Sequence, residues 1–310
     1  MNKTLFNLIV LLLIFVAGNI YLTAQSKNGF DLSNSIIDVN DIYRGGPPRD
    51  GIPAISNPVF VTVKEVDYLR DDDIVIGMVR GGEARAYPTR ILIWHEIAND
   101  TIGSDHVAIV YCPLCGTSMV FDREIKGRIR EFGVSGLLYQ SDVLMYDRET
   151  DSLWSQLEMK SISGPEVGTS LKWLTSEHMT WKSWREKHPQ GKVLSDETGY
   201  DRNYSGNAYA GYFATESTMF PVPFLRDELT NKTMIIGVIV NGRAKAFPVD
   251  SFVSTKTISE SVGSSLIKIS YDMDKKYPVV TDDSGNDIPY VMSFWFAWQA
   301  FYPDTELWIP

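Results

Sequence analysis

Cysteine is nearly absent from this chain: there are two in 310 residues, and both lie in one turn, at positions 112 and 115. Histidine is scarce too, with four. A disulfide-rich scaffold is excluded, and so is a closed zinc site made from two cysteine pairs. No run of Lys or Arg forms a basic stripe, and the formal charge is −10, so nucleic acid is not an expected partner. No Gly-rich phosphate loop, EF-hand loop or His-Glu-x-x-His occurs. Ser135-Gly136 is not a nucleophile elbow, because position 137 is Leu137.

At the N-terminus, Lys3 gives a short positive region and Leu8 to Ala17 an apolar core; Thr23-Ala24-Gln25-Ser26 follows with small and polar residues. This is the layout of a secretory signal peptide over residues 1–24, cut after Ala24, with an uncleaved anchor as the alternative because Leu22 sits at the −3 position. The chain is therefore expected in the periplasm or outside the cell, with no membrane span after cleavage. Thiols there meet an oxidising environment.

Residues 25–59, rich in Asp, Asn, Gly and Pro, read as an extended arm. A first β module is expected over residues 60–172, a helix-and-loop connection over 173–225 and a second module over 226–310. A shift of 160 positions lays Ile76-Gly77 on Ile236-Gly237, Gly82 on Gly242, Pro88 on Pro248, Gly103 on Gly263 and Tyr111 on Tyr271 without a gap. Such a register predicts an internal duplication. The same shift turns Cys112 into Asp272, Cys115 into Lys275, His95 into Thr255 and Trp94 into Ser254. Folding then does not need the thiols, and the first module is the one that carries chemistry. Thr180 to Lys187 predicts a capped helix, Lys64 to Arg70 a short one, and Ser135 to Asp142 a loop. Ser293 to Phe301 reads as either helix or strand.

The run Val107 to Tyr111 reads as a buried strand delivering Cys112-Pro113-Leu114-Cys115-Gly116. Two thiols so placed can hold a metal, exchange electrons or close a small ring. Thr117 to Phe121 alternates like a strand, so no helix opens at the second cysteine, as a thioredoxin-type site would require. The Cys-Pro-x-Cys-Gly turn resembles half of a zinc knuckle. His95 is the expected third ligand, and two thiolates with an imidazole place copper ahead of zinc. The alternatives are a thiol–disulfide oxidoreductase using Cys112 and Cys115, or a ligand-binding module with a structural disulfide. A pocket beside the turn is expected from Trp94, Glu96, Tyr111, Ser135, Tyr139, Asp142, Tyr146, Asp147, Arg148, Trp154 and Gln156, although Asp142 and Asp147 equally suit turn chemistry.

Ala84-Arg-Ala-Tyr-Pro88, Trp94-His-Glu-Ile97, Tyr111-Cys-Pro-Leu-Cys-Gly-Thr117, Phe132-Gly-Val-Ser-Gly-Leu137, Asp142-Val-Leu-Met-Tyr-Asp-Arg148 and Ser152-Leu-Trp-Ser-Gln156 resemble the bacterial and archaeal family catalogued as domain of unknown function 3179. The resemblance runs from about Phe60 to the C-terminus. It implies a shared module with a site at the cysteine turn, and no reaction. The expectation is an exported, β-rich α+β protein of two related β modules with few short helices. It is expected to bind copper or zinc and to serve an exported redox or metal-delivery partner. Whether it is an enzyme is left open.

Overall fold

The computed structural model describes residues 26–310 apart from 224 and 254–256. The expected signal segment, and the Ser254 and Thr255 counterparts of Trp94 and His95, lie outside the described residues. Among the described residues no helix is long and apolar enough to cross a membrane.

The fold is β-rich, with a few short helices. Strands β1 (Ile74–Arg80) and β2 (Glu83–Pro88) form a hairpin turned at Gly81-Gly82, both in the left-handed region that glycine adopts at no steric cost. A one-turn helix, Thr89–Leu92, leads into the meander β3 (Ile97–Ile102), β4 (Asp105–Cys112) and β5 (Thr117–Asp122). A second meander follows: β6 (Phe132–Tyr139), β7 (Asp142–Asp147), β8 (Leu153–Ser155) and β9 (Lys160–Ser163). Strand β10 (Glu177–Thr180) runs into helix α1 (Trp181–Lys187), where Thr180 caps by accepting from the Ser183 N–H, and then β11 (Lys192–Leu194). A long connection holds α2 (Ala210–Phe213). The chain then lays down β12 (Met234–Val240), β13 (Arg243–Pro248), β14 (Thr257–Val262), β15 (Ser265–Asp272), β16 (Tyr277–Asp282), β17 (Tyr290–Phe294), α3 (Trp295–Phe301) and β18 (Glu306–Leu307).

Strands β1 to β5 and β12 to β16 begin and end at positions related by the same shift of 160. The segment β10–α1–β11 has its counterpart in β17–α3–β18, and the β6–β9 meander is what the first half has in addition. Equivalent packing follows. A Cβ on Gly77 would meet the Trp184 ring at 2.0 Å, and one on Gly237 would meet Trp298 at 2.6 Å. Each half also grips the other's turn: Thr180 N–H donates to Lys275 O at 2.9 Å, and Phe294 N–H donates to Cys115 O at 2.8 Å.

The interlock shows in the sheets. The largest has nine strands in the order β18-β13-β12-β17-β5-β4-β3 and then Ile55–Ser56, with Trp173–Leu174 also paired to β5. It joins the second hairpin to the first meander. A five-stranded sheet runs β10-β1-β2-β11 and Phe60–Thr62, and another runs β9-β8-β7-β6 and Ile42–Arg44, the last from the N-terminal arm. The β14-β15-β16 sheet stands as three strands. The main core cluster joins Val110, Met119 and Phe121 to Phe132, Met145 and Trp154 and to Trp295 and Trp298, so the cysteine turn sits where both meanders and α3 meet.

Three local expectations are corrected. Ser135 to Asp142 is not a loop but strand, turned at Gln140-Ser141; a register shift between Val134 and Leu137 breaks the alternation that would have marked it. Lys64 to Arg70 is not a helix; a short 3-10 turn, Val63–Glu65, stands there. Ser293 to Phe301 divides into the end of β17 and helix α3.

Candidate metal centre

The β4–β5 hairpin ends at the pair Cys112–Thr117, so the four residues between them form its turn. Gly116 takes φ 62°, which lets the chain turn back into β5 beneath the Phe294 ring. Opposite stands the β6–β7 turn. Gln140 and Ser141 both take positive φ, 50° and 70°, as a two-residue hairpin of this hand requires, although neither is the usual Gly or Asn. This turn presents Asp142 to the cysteines. One ligand atom each from Cys112, Cys115 and Asp142 lie within 4.8 Å of one another, all buried. The cysteines are free thiols. Cys115 donates its S–H to the Ser141 carbonyl at 3.2 Å. Asp142 accepts the Leu157 N–H at 3.2 Å and the Thr117 hydroxyl at 3.4 Å; Thr117 also donates to Gln156 Oε1 at 2.8 Å. Gln156 is tied to Val110 O at 3.2 Å. The Ser141 hydroxyl is fully buried and has no hydrogen-bond partner among the described residues.

The electrostatics are one-sided. Burial pushes the Asp142 carboxyl up to about 7. Burial pushes Glu96 up to about 8, and the charge of Asp142 adds to this. Burial raises the Cys112 thiol, with Asp142 and Glu96 adding, and raises Cys115 further. Among the described residues, the largest influences on the four are burial, hydrogen bonds and the neighbouring acidic groups, and none of these is a cation. In the second half the positions of Cys112 and Cys115 are held by Asp272 and Lys275, which pair at 3.0 Å.

His95 lies outside the three-ligand cluster, and both its nitrogens are engaged. Nδ1 donates to Pro53 O at 2.7 Å, which fixes the tautomer, and Nε2 accepts from the Tyr204 hydroxyl at 2.6 Å. Its ring also packs on Tyr200. The histidine ties the arm to the long connection.

The structure divides the expected pocket. Asp142 and Gln156 form the site. Glu96, held at φ 58°, and Tyr111 border it, since the charges of Glu96 and Cys112 act across it. Trp94 leaves its buried indole N–H without a partner among the described residues. The others belong to the scaffold. Ser135 donates to Leu144 O at 2.5 Å. Tyr139 packs edge-on against Phe301. Tyr146 and Arg148 bond Asp50 of the arm at 2.5 and 2.9 Å. Asp147 closes the turn at Thr150 and accepts the Trp154 indole N–H at 2.8 Å.

A family model described as "Protein of unknown function (DUF3179)" matches residues 49–305. The chain belongs to that family. No curated protein and no solved structure matches it.

In this DUF3179 chain the sequence left out the cover over the site. Tyr212 donates its hydroxyl to Leu114 O at 2.7 Å, inside the cysteine turn, and Lys232 sits over the Tyr212 ring at 3.3 Å. Tyr209 lies in the field of Glu96 and Cys112, which together with burial raises its pKa. The repeated tyrosines at 200, 204, 209 and 212 were the signal, in a stretch that reads as plain loop.

Proposed function

We propose that Cys112, Cys115 and Asp142 hold a transition-metal ion. One observation carries this: three close, buried groups that become anions, with a fourth, Glu96, beside them and, among the described residues, no cation among the main influences on them. Apart from a cation, such a cluster can only stay protonated, as the raised pKa values describe. A bound metal supplies the missing positive charge, and its uptake releases protons, so affinity rises with pH. Two sulfurs and a carboxylate oxygen suit Zn(II), which accepts both donor types. The case for copper leaned on an imidazole, and His95 is bound elsewhere, so copper follows zinc.

The metal reading fits an exported protein that stores or delivers a metal; Lys3 with the Leu8 to Ala17 run supports export. The constant shift between β1–β5 and β12–β16 supports two copies of one module, of which the first kept or gained the site. The rival, thiol–disulfide exchange, calls for an accessible thiol of lowered pKa, whereas both thiols are buried and raised.

Elemental analysis of protein purified without oxygen tests the proposal. About one equivalent of metal per chain is expected, and none in a Cys112→Ser/Cys115→Ser variant. Equal, near-zero metal in both removes it.

A further inference from the structure

The two halves line an open cavity of about 400 Å³, within the usual range for a small-molecule site. Its walls come in equivalent pairs, one from each half: Ile74 and Met234, Tyr111 and Tyr271, Gly116 and Lys276. Met292 and Phe294 of β17 close one side, and Phe213 of α2 covers another. Since Tyr111 and Gly116 flank the cysteines, the cavity shares a wall with the metal centre without containing its ligands.

The equivalence fails at two places. Gly116 on one side is Lys276 on the other, at the same left-handed conformation, φ 62° and 50°. Lysine has no conformational reason to stand there; glycine does. Lys276 makes no ion pair or hydrogen bond among the described residues, and it is exposed at the cavity's edge. The second place is His178, buried on β10 with Nδ1 3.0 Å from the Ser118 hydroxyl. Burial takes its pKa down to about 4, so it is neutral at ordinary pH. Among the described residues no carboxylate lines the cavity, and Lys276 is the one charged side chain on its wall.

We propose that this cavity binds a compact carboxylic acid, its apolar body between Ile74, Met234, Met292 and Phe294 and its carboxylate at Lys276. The apolar walls bind the body, and the unpaired ammonium selects the sign of the head group. Selection of an anion is diagnostic here, because the chain as a whole is strongly acidic and repels anions at a distance. The proposal does not rest on the metal reading.

Calorimetric titration of the purified chain with octanoate tests it, with octanol and octylamine as neutral and cationic controls of equal chain length. Octanoate is expected to bind 1:1 and at least ~10-fold more tightly than either control. Lys276→Glu, at an exposed position, is expected to weaken octanoate by at least ~10-fold without moving the thermal midpoint. Met292→Trp, which fills the cavity, is expected to abolish binding; should that variant not fold, Lys276→Glu decides alone. No saturable octanoate binding, controls binding as well as octanoate, or unchanged binding by Lys276→Glu overturns the proposal.

Discussion

The thiol of Cys115 lies 3.2 Å from the carbonyl oxygen of Ser141, and through that contact the turn of one meander meets the turn of another. The first belongs to the pattern both halves share. The second belongs to the β6–β9 meander, which only the first half carries. Asp142 follows Ser141 directly, so the same approach sets a carboxylate beside two sulfurs. The second half lacks that meander, and there Asp272 and Lys275 neutralise each other instead.

Ser141 holds φ 70° with its hydroxyl buried and without a partner among the described residues, so the turn is under conformational and desolvation strain. Ser141→Gly relieves both. Denaturant unfolding of the metal-free protein is expected to show a gain of about 1 kcal/mol. A loss would show that the hydroxyl contributes to folding in a way the geometry does not contain.

Gly77 beneath Trp184, and Gly237 beneath Trp298, leave no room for a methyl group. Gly77→Ala is expected to cost about 3 kcal/mol and Gly237→Ala about 2 kcal/mol, in the order of the two clashes. Chemical denaturation of both variants checks the values. If both are neutral, the tight packing of strand on indole is not what fixes helices α1 and α3.

His178 gives a pH dependence with a definite sign. Burial lowers its pKa from 6.5 to about 4, so the folded state binds its proton less readily than the unfolded chain does. Its contribution is full above about pH 6.5 and is lost as pH falls from there toward 4, by up to ~3 kcal/mol. The difference in stability between wild type and His178→Gln, followed by urea melts from pH 7.5 to 4.5, is expected to shrink or reverse with acidification. A constant difference would contradict a buried neutral imidazole.

The Tyr212 hydroxyl on Leu114 O fastens the long connection over the thiols. Tyr212→Phe removes that bond and little else. Alkylation of the metal-free cysteines is expected to quicken at least ~3-fold, as one hydrogen bond's worth of closure is lost, with the thermal midpoint nearly unchanged. Equal rates would mean that the thiols are reached by another route.

Much of the scaffold was legible in the sequence because backbone geometry leaves marks that side chains must obey. Glycines at 82, 103, 242 and 263 stand where the chain turns with positive φ, and Gly77 and Gly237 where an indole lies close. The cysteine turn was legible for the same reason. Its third partner was not. Asp142 was visible as a polar residue, but a register shift disguised its hairpin, and nothing local reveals which turn a distant turn will face. His95 drew attention because the 160-residue shift removes it together with the cysteines, yet the arm's Pro53 carbonyl and Tyr204 reach both its nitrogens. Contacts made across such sequence separations leave no periodic trace.

Zinc affinity, measured by competition with a chromophoric chelator on wild type, Asp142→Asn and His95→Gln, tests the central claim most directly. The account predicts 1:1 binding that Asp142→Asn weakens by at least ~10-fold and His95→Gln leaves within about 3-fold, in line with loss of a direct ligand against loss of a distant contact. Binding that ignores Asp142, or that disappears with His95, would contradict it.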